Sequence, residues 1–144
     1  MIILDTTILV YAVGADHPLR APSRALVELA RDGLVRASTT VEVVQEFAHV
    51  RSRRRPRVEA AARASEYALG FSPLALPDED DLLQGLRLFQ DSVDLGPFDT
   101  VLAATAMRRD WALASADRSF GQVDGLAYLD PSSPTFLDEV RAAG

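Results

Sequence analysis

The chain has 144 residues, no cysteine and a formal net charge of −6. This length suits one domain, which we expect to span residues 1–144 and to bury roughly 68–70% of the surface that its unfolded chain exposes. The lack of cysteine excludes a disulfide framework, a thiolate zinc site and a cysteine nucleophile. The acidic balance argues against a general nucleic-acid coat protein, because such proteins are usually basic.

The N-terminal segment, Met1 to Leu4, is entirely apolar and is predicted to form a short buried strand that ends at Asp5. It has neither the basic segment nor the small-residue cleavage site of a secretory signal. No apolar run in the chain approaches the length needed to span a bilayer. We therefore expect a cytoplasmic protein without membrane association.

Helical and extended segments alternate through the first half of the chain. Gly33 is a typical helix stop, and the hydroxyls at 38–40 can cap the helix that follows. The spacing Thr39-x-x-Glu42 fits a capping box, which would give Glu42 a structural role. The predicted helices cover about 8–11, 17–33, 40–52 and 57–69, with a second strand at 34–37 and an extended piece from 73 to 77.

The second half follows the same alternation. The acidic run 78–81 suits the first turn of a helix, because carboxylates stabilise a helix N-terminus, and Pro97 suits the first position of the next helix. That second helix extends to about Arg109 and is rich in alanine, which would let it approach a neighbour closely. The helix that starts at the acidic run carries four large apolar residues on one side, namely Leu82, Leu83, Leu86 and Phe89. Strands are predicted at 111–115 and 126–129.

Strands separated by helices predict an α/β protein, namely a three-layer α/β/α sandwich around a short, mostly parallel sheet. Active sites in such sheets gather beyond the carboxyl ends of the strands. Asp5 and Asp117 both directly follow predicted strands. We therefore expect these two side chains at the same edge of the sheet.

Four acidic residues stand where a lone charge is costly. Asp5 ends the first strand, Glu46 lies in an apolar helix, Asp99 opens another helix and Asp117 closes a late strand. A carboxylate at the edge of a core is strongly unfavourable unless something compensates it. Four such acids suggest one shared compensator, and Mg²⁺ or Mn²⁺ is the simplest, because hard cations prefer oxygen ligands.

Each acid also has an ordinary structural explanation. Asp5 and Asp117 can serve as N-caps or turn residues, and Asp99 can stabilise the first turn of its helix. Glu46 lies at the edge of the apolar arc of its helix and can extend to solvent. Asp94 and Asp91 are reserve candidates for the metal site.

A basic cluster follows the helix that carries Glu46. Its members are Arg51, Arg53, Arg54, Arg55 and Arg57. One interpretation is a solvated helix end that the helix dipole favours. The other is a surface that binds phosphate, to which arginine is suited by its bidentate geometry. All 15 basic residues of the chain are arginine, and there is no lysine.

The four acids occur in four segments, which are ILDTTILVY at 3–11, VQEF at 44–47, FDTVLAATA at 98–106 and SADRSF at 115–120. In this order the segments resemble the PIN-domain family. The single-domain length makes the chain most similar to the VapC-type toxins of bacterial toxin–antitoxin pairs. The resemblance covers residues 1 to about 120.

This resemblance implies a site for Mg²⁺ or Mn²⁺ and an endoribonuclease in which metal-activated water hydrolyses RNA. Position 7 is often asparagine or serine in the family, so the threonine here is a mild departure. An acidic site repels RNA until metal is bound, so we expect the basic cluster to contact the phosphate backbone. The resemblance also implies a homodimer and a cognate antitoxin protein. The helix faces near 26–30 and 82–89 could contact such partners, but we expect them to cover the sheet. The implied acidic site consists of Asp5, Glu46, Asp99 and Asp117, with Thr7 or Ser115 as supporting hydroxyls.

Two alternative functions remain open. One is a non-catalytic PIN-like module that acts by binding alone. The other is an aspartate-nucleophile phosphatase, because such enzymes also begin with a strand that ends in aspartate and use Mg²⁺. They normally need a lysine to balance the phosphoryl charge, which this chain lacks. A serine nucleophile has little support, since Ser115 has no histidine at a suitable spacing.

Overall fold

The structure, a computed structural model, describes all 144 residues and contains four β-strands, seven α-helices and one short 3-10 helix. The strands are β1 (Ile2–Leu4), β2 (Ala37–Ser38), β3 (Ala112–Ala114) and β4 (Tyr128–Leu129). The helices are α1 (Thr6–Ala12), α2 (Arg20–Arg31), α3 (Val41–Ser52), α4 (Arg57–Gly70), α5 (Glu79–Asp91), α6 (Pro97–Arg108) and α7 (Phe136–Ala143), and the 3-10 helix covers Arg118–Gln122. None of the helices is both long and apolar enough to cross a membrane.

The four strands form one sheet in the order β2-β1-β3-β4, and every neighbouring pair is parallel. The central strand is β1, in which Ile3 pairs with Ser38 on one side and with Leu113 on the other. Every residue of β1 and β3 is buried, as expected when helices cover both faces of a parallel sheet. The predicted α/β fold is confirmed.

The segment beyond Asp130, to which the sequence analysis assigns no element, forms α7. Phe136 and Val140 are one turn apart on this helix, and both are buried in the main core. The carbonyl of Ala143 accepts a hydrogen bond from the Met1 amino group at 2.6 Å. The core therefore extends from the first strand to the last helix.

The second strand lies further along the chain than predicted. It covers Ala37–Ser38 rather than 34–37. The reason is that the amides of Leu34 and Val35 still donate to the carbonyl of Leu29 near the end of α2. These residues therefore close the helix and cannot join the sheet.

The predicted capping box at the start of α3 is wrong. Thr40, rather than Thr39, is the N-cap, and its Oγ1 accepts a hydrogen bond from the Val43 amide at 3.3 Å. Thr39 Oγ1 instead donates to the Leu4 carbonyl at 2.7 Å. This bond ties the start of α3 to the end of β1, and it leaves Glu42 exposed on the helix.

Helices α5 and α6 approach each other closely because Gly85 lies against Val101. A Cβ atom at position 85 would come within 2.6 Å of the Val101 Cα, so any larger residue would force the helices apart. The buried residues of α5 are Asp81 and Gly85. The expectation that the leucine-rich side of α5 covers the sheet is wrong, since Leu82, Leu83, Leu86 and Phe89 are each 40–47% exposed.

Asp81 is a buried charge that two arginines at the end of α6 compensate, namely Arg108 and the C-cap residue Arg109. Its Oδ1 accepts from Arg108 Nη1 at 2.6 Å and its Oδ2 from Arg109 Nη1 at 2.8 Å. Oδ2 also accepts the amide of Asp78, which closes a capping box on α5. Burial raises the pKa of Asp81, but the Asp78 amide and the two arginines outweigh that effect and hold the pKa below its ordinary value.

We predict that Asp81→Asn destabilises the fold by on the order of 3 kcal/mol at pH 7, because it leaves two arginines without their shared partner. A carboxyl group with a lowered folded pKa stabilises the protein above the ordinary pKa of 3.8, and this contribution disappears as the pH falls through the lowered value. Urea unfolding at pH 7 and pH 3 should therefore show a large gap between wild type and variant that narrows in acid.

The matched control is Asp80→Asn, which removes an exposed carboxylate 3.3 Å from the same Arg108. It should change stability little, because exposed ion pairs contribute little. Equal losses in the two variants would contradict the role assigned to Asp81.

Candidate active site

Asp5 lies at the carboxyl end of β1 and is buried. Its Oδ2 accepts hydrogen bonds from Thr7 Oγ1 at 2.7 Å, from Ser115 Oγ at 2.7 Å and from the Thr7 amide at 3.3 Å. Asp5 is also the N-cap of α1, so its alternative structural role is present as well. That role occupies the same oxygen.

Two hydroxyl groups join the ends of the neighbouring strands β1 and β3. Thr7 Oγ1 accepts the amide of Ala116 at 2.9 Å, and Ser115 Oγ accepts the amide of Asp117 at 2.9 Å. The two hydroxyl oxygens are 3.2 Å apart. Asp117 consequently lies at the same edge of the sheet as Asp5, as the strand-end rule predicts.

Glu46 reaches the same edge of the sheet from a helix. It lies on α3, is exposed, and accepts a hydrogen bond from Thr6 Oγ1 at its Oε2, at 2.6 Å. Thr6 is itself buried at the start of α1. The glutamate is therefore fixed beside Asp5 and does not simply extend from the helix into solvent.

Asp99 and Asp117 also have local hydrogen bonds. Asp99 is the third residue of α6, and its Oδ2 accepts the amide of Gly96 at 3.1 Å. Asp117 caps the 3-10 helix, and its Oδ1 accepts the amide of Ser119 at 2.9 Å. Each of the four carboxylates thus accepts well-formed hydrogen bonds at one oxygen and leaves its second oxygen available for a ligand.

The electrostatic state of the site is unfavourable for four free carboxylates. Burial raises the pKa of Asp5, and this effect outweighs the hydrogen bonds from Thr7 and Ser115. Burial also raises the pKa of Asp99, and the negative charges of Asp5, Glu46 and Asp117 raise it further. A cation bound among these groups would relieve both effects.

A cleft of about 900 Å³ opens at this edge, between α3 on one side and α5 and α6 on the other. Asp5, Glu46 and Asp99 line it, whereas Asp117 does not. The cleft wall combines these acids with an apolar surface. The apolar side chains that contribute to it are Val43, Leu82, Phe98, Val101 and Leu102.

The donor chemistry fits a divalent cation of the Mg²⁺ type. All four candidate ligands are carboxylates, and oxygen is the ligand that Mg²⁺ and Mn²⁺ prefer. The side chains are not drawn into a group of three or more that could hold an ion by themselves. Mg²⁺ does not need such a group, because this ion keeps several waters and binds proteins through one or two direct carboxylate ligands.

The basic cluster divides into one paired arginine and several accessible ones. Arg51 Nε lies 3.1 Å from both carboxylate oxygens of Glu59, so its guanidinium is already occupied. Arg53 contacts His49 Nε2 through its Nη2 at 2.9 Å. The remaining members are exposed, and none has a carboxylate partner; they are Arg54, Arg55 and Arg57.

Three residues at or beside the cleft are missing from the site that the sequence predicts. Thr6 was not distinguished from Thr7, and only the fold shows that its hydroxyl bonds Glu46 rather than Asp5. His49 lines the cleft, and its spacing of three residues from Glu46 on one helix is the signal that could have placed it there. Phe98 directly precedes Asp99 and also lines the cleft.

Comparison with known proteins agrees with this architecture. The PIN-domain family model matches residues 2–126. The ribonuclease VapC7 of Mycobacterium tuberculosis is 44% identical over 135 residues, which are 92% of this chain and 93% of that relative.

Two solved complexes share the fold. The structure of FitAB bound to an IR36 DNA fragment matches with a TM-score of 0.72 at 20% identity, over 91% of this chain and 95% of that chain. VapBC2 from Rickettsia felis, bound to a DNA fragment from its promoter, matches with a TM-score of 0.68 at 16% identity, over 90% and 98% of the two chains.

The family match spans most of the chain, and so the protein belongs to the PIN-domain family. Its identity to VapC7 assigns it, within that family, to the VapC ribonucleases.

We predict that Asp99→Asn melts at a higher temperature than wild type in chelator, because it removes one of several mutually repelling charges. Asparagine keeps an oxygen that can accept the Gly96 amide. The variant should also lose much of the stabilisation that Mn²⁺ gives the parent, since a ligand that binds only the folded state raises its stability. Calorimetry with a Mn²⁺ titration measures both effects.

Asp94→Asn is the control, because Asp94 is exposed and does not line the cleft. It should keep the wild-type response to Mn²⁺. A full response in Asp99→Asn together with a lost response in Asp94→Asn would move the site to Asp94.

Proposed function

We propose that the chain is the toxin of a toxin–antitoxin pair and a metal-dependent endoribonuclease that acts in the cytoplasm. The observation that carries the proposal is the arrangement of Asp5, Glu46, Asp99 and Asp117 at the carboxyl edge of the sheet, each with one uncommitted oxygen. Membership of the VapC ribonucleases supports the reaction class, and the cleft of about 900 Å³ offers room for a polynucleotide segment.

In this proposal the four carboxylates hold Mg²⁺ or Mn²⁺, directly or through water. The bound metal supplies a water of lowered pKa and neutralises charge at the scissile phosphate. Thr7 and Ser115 donate hydrogen bonds to Asp5 Oδ2. These bonds fix the orientation of the carboxylate, and so also that of its second oxygen, Oδ1. Thr6 performs the same task for Glu46. No side chain of the cleft needs to act as a nucleophile.

The two alternative functions, a phosphatase and a non-catalytic binding module, have less support. The family match leaves no basis for an aspartate-nucleophile phosphatase. A binding module without catalysis would need only the cleft and not a full set of acids, and all four acidic positions are filled. Whether the site cleaves RNA is decided by a direct assay.

An antitoxin protein and a second copy of the chain are the proposed partners. The exposed apolar side of α5 supports the existence of such contacts, because soluble proteins seldom expose several large apolar side chains together. The acidic cleft also suits a basic side chain of an inhibitory partner. The similarity to VapBC and FitAB assemblies supports the same pairing.

We predict that the purified protein cleaves RNA in Mg²⁺ or Mn²⁺ and not in excess chelator. Asp5→Asn should reduce the rate by on the order of 100-fold or more, because even supporting groups around a metal contribute about 10–100-fold. Ser115→Ala should cost about 10–100-fold for the same reason. The assay uses structured and single-stranded RNAs, and Asn at position 5 can still cap α1.

Asp94→Asn is the control and should cleave at the wild-type rate. Cleavage that persists in chelator, or that survives in Asp5→Asn, would sink the assignment. In bacteria, expression of the wild-type chain should slow growth while Asp5→Asn should not. Normal growth with abundant soluble wild-type protein would argue for a housekeeping nuclease instead of a toxin.

We predict that the accessible arginines at the end of α3 bind RNA phosphates without base preference. Replacing Arg53, Arg54 and Arg55 by Ala should weaken binding to all RNAs and flatten its salt dependence. The slope of log affinity against log salt should fall by about 0.7 per lost phosphate contact with single-stranded RNA. Fluorescence anisotropy over a salt series measures the slope.

The charge-matched control replaces Arg36, Arg87 and Arg141, three exposed arginines from elsewhere on the surface. Its slope should stay close to that of wild type. If the two triple variants behave alike, the cluster is a solvated helix end.

A further inference from the structure

Phe98 has an unusual position for a large apolar side chain. It is the second residue of α6, between Pro97 and the candidate metal ligand Asp99. Its side chain is 78% exposed, although it lines the cleft that also contains Asp5 and Glu46. A single exposed phenylalanine is common on protein surfaces. An exposed phenylalanine on the wall of an acidic cleft is placed to contact a ligand that enters the cleft.

The charges of the cleft limit what that ligand can be. Six carboxylates and one imidazole line it, and no arginine or lysine does. Such a surface repels phosphate groups except where a bound cation compensates the acids. The phosphate backbone of an RNA is therefore attracted to the cation and to the arginines beyond His49, and not to the cleft wall around Phe98.

The nucleobase is the part of a nucleotide that suits the remaining wall. It is uncharged, and it presents a flat π-face that stacks on aromatic side chains. Phe98 supplies such a face, and Leu82, Val101 and Leu102 continue the apolar surface beside it. A base adjacent to the scissile phosphate would reach this surface, because Phe98 and the candidate ligand Asp99 line the same cleft.

We propose that Phe98 is a stacking platform for an unpaired nucleobase next to the cleaved phosphodiester. This inference rests on the proposed ribonuclease function and adds to it a residue that positions the substrate by contact with a base. Stacking tolerates different bases, since every base has a π-face. Phe98 therefore positions the strand, and it does not by itself select a sequence.

The test measures binding in an Asp5→Asn background with Mg²⁺, so that the probe is not cleaved. The probes are a fluorescent oligouridylate and an abasic ribose–phosphate oligomer of the same length and charge. The parent should bind oligouridylate more tightly than the abasic oligomer. Phe98→Ala should weaken oligouridylate binding roughly 5- to 100-fold and leave abasic binding unchanged.

Conservative variants separate stacking from simple apolar contact. Phe98→Trp and Phe98→Tyr should retain the preference for oligouridylate, whereas Phe98→Leu should lose it. Leu69→Ala is the matched control, because Leu69 is 79% exposed, like Phe98, and lies outside the cleft, and this variant should bind both probes like the parent. Since Phe98 is exposed, its replacement should not impair folding.

Three outcomes would overturn the proposal. They are equal losses on both probes, full function of Phe98→Leu, and a change of oligomeric state in Phe98→Ala with RNA binding unchanged, measured by sedimentation velocity. The last would assign Phe98 to a contact between copies of the chain.

RNA cleavage by wild type without any base-dependent binding would reject the stacking role alone. Absence of both cleavage and RNA binding would reject the ribonuclease function as well.

Discussion

The burial of one carboxylate at the end of the central strand constrains the rest of this structure. Asp5 leaves water because β1 is enclosed on both sides by paired strands, and a buried charge is tolerated only with hydrogen bonds and a compensating charge. The fold supplies the hydrogen bonds through Thr7 and Ser115. No arginine or histidine forms an ion pair with the carboxylate, and in the proposed function a bound cation compensates it.

The topology of the sheet explains why residues distant in sequence meet at one edge. Parallel neighbours β1 and β3 end at the same edge of the sheet, so the hydroxyl that follows β3 reaches the acid that follows β1. Thr39 ties α3 to the carbonyl of Leu4, which brings Glu46 within reach of Thr6. The position of each acid is therefore a consequence of sheet topology combined with a few side-chain hydrogen bonds.

The sequence predicted those features that depend on local chemistry and failed where tertiary packing decides. Strand ends, the start of α6 at Pro97 and the order of the elements follow from periodicity and turn residues. The choice between Thr39 and Thr40 as the cap does not, because both carry the same hydroxyl and only the position of Leu4 separates them. The leucine-rich side of α5 suggests burial, yet Gly85 permits a closer contact with α6 on another face.

In the proposed function, RNA binding and catalysis use two surfaces of opposite charge. In this proposal, the acids repel RNA when no cation is bound, and the arginines after α3 supply the affinity for the phosphate backbone. These two surfaces are joined through His49, which lines the cleft and contacts Arg53. An inhibitor that placed a positive charge among the acids would displace the cation without having to cover the arginines. In the proposed function, an inhibitor therefore needs to occupy only a small part of the surface that binds RNA, and one short segment of a partner protein is long enough to do so.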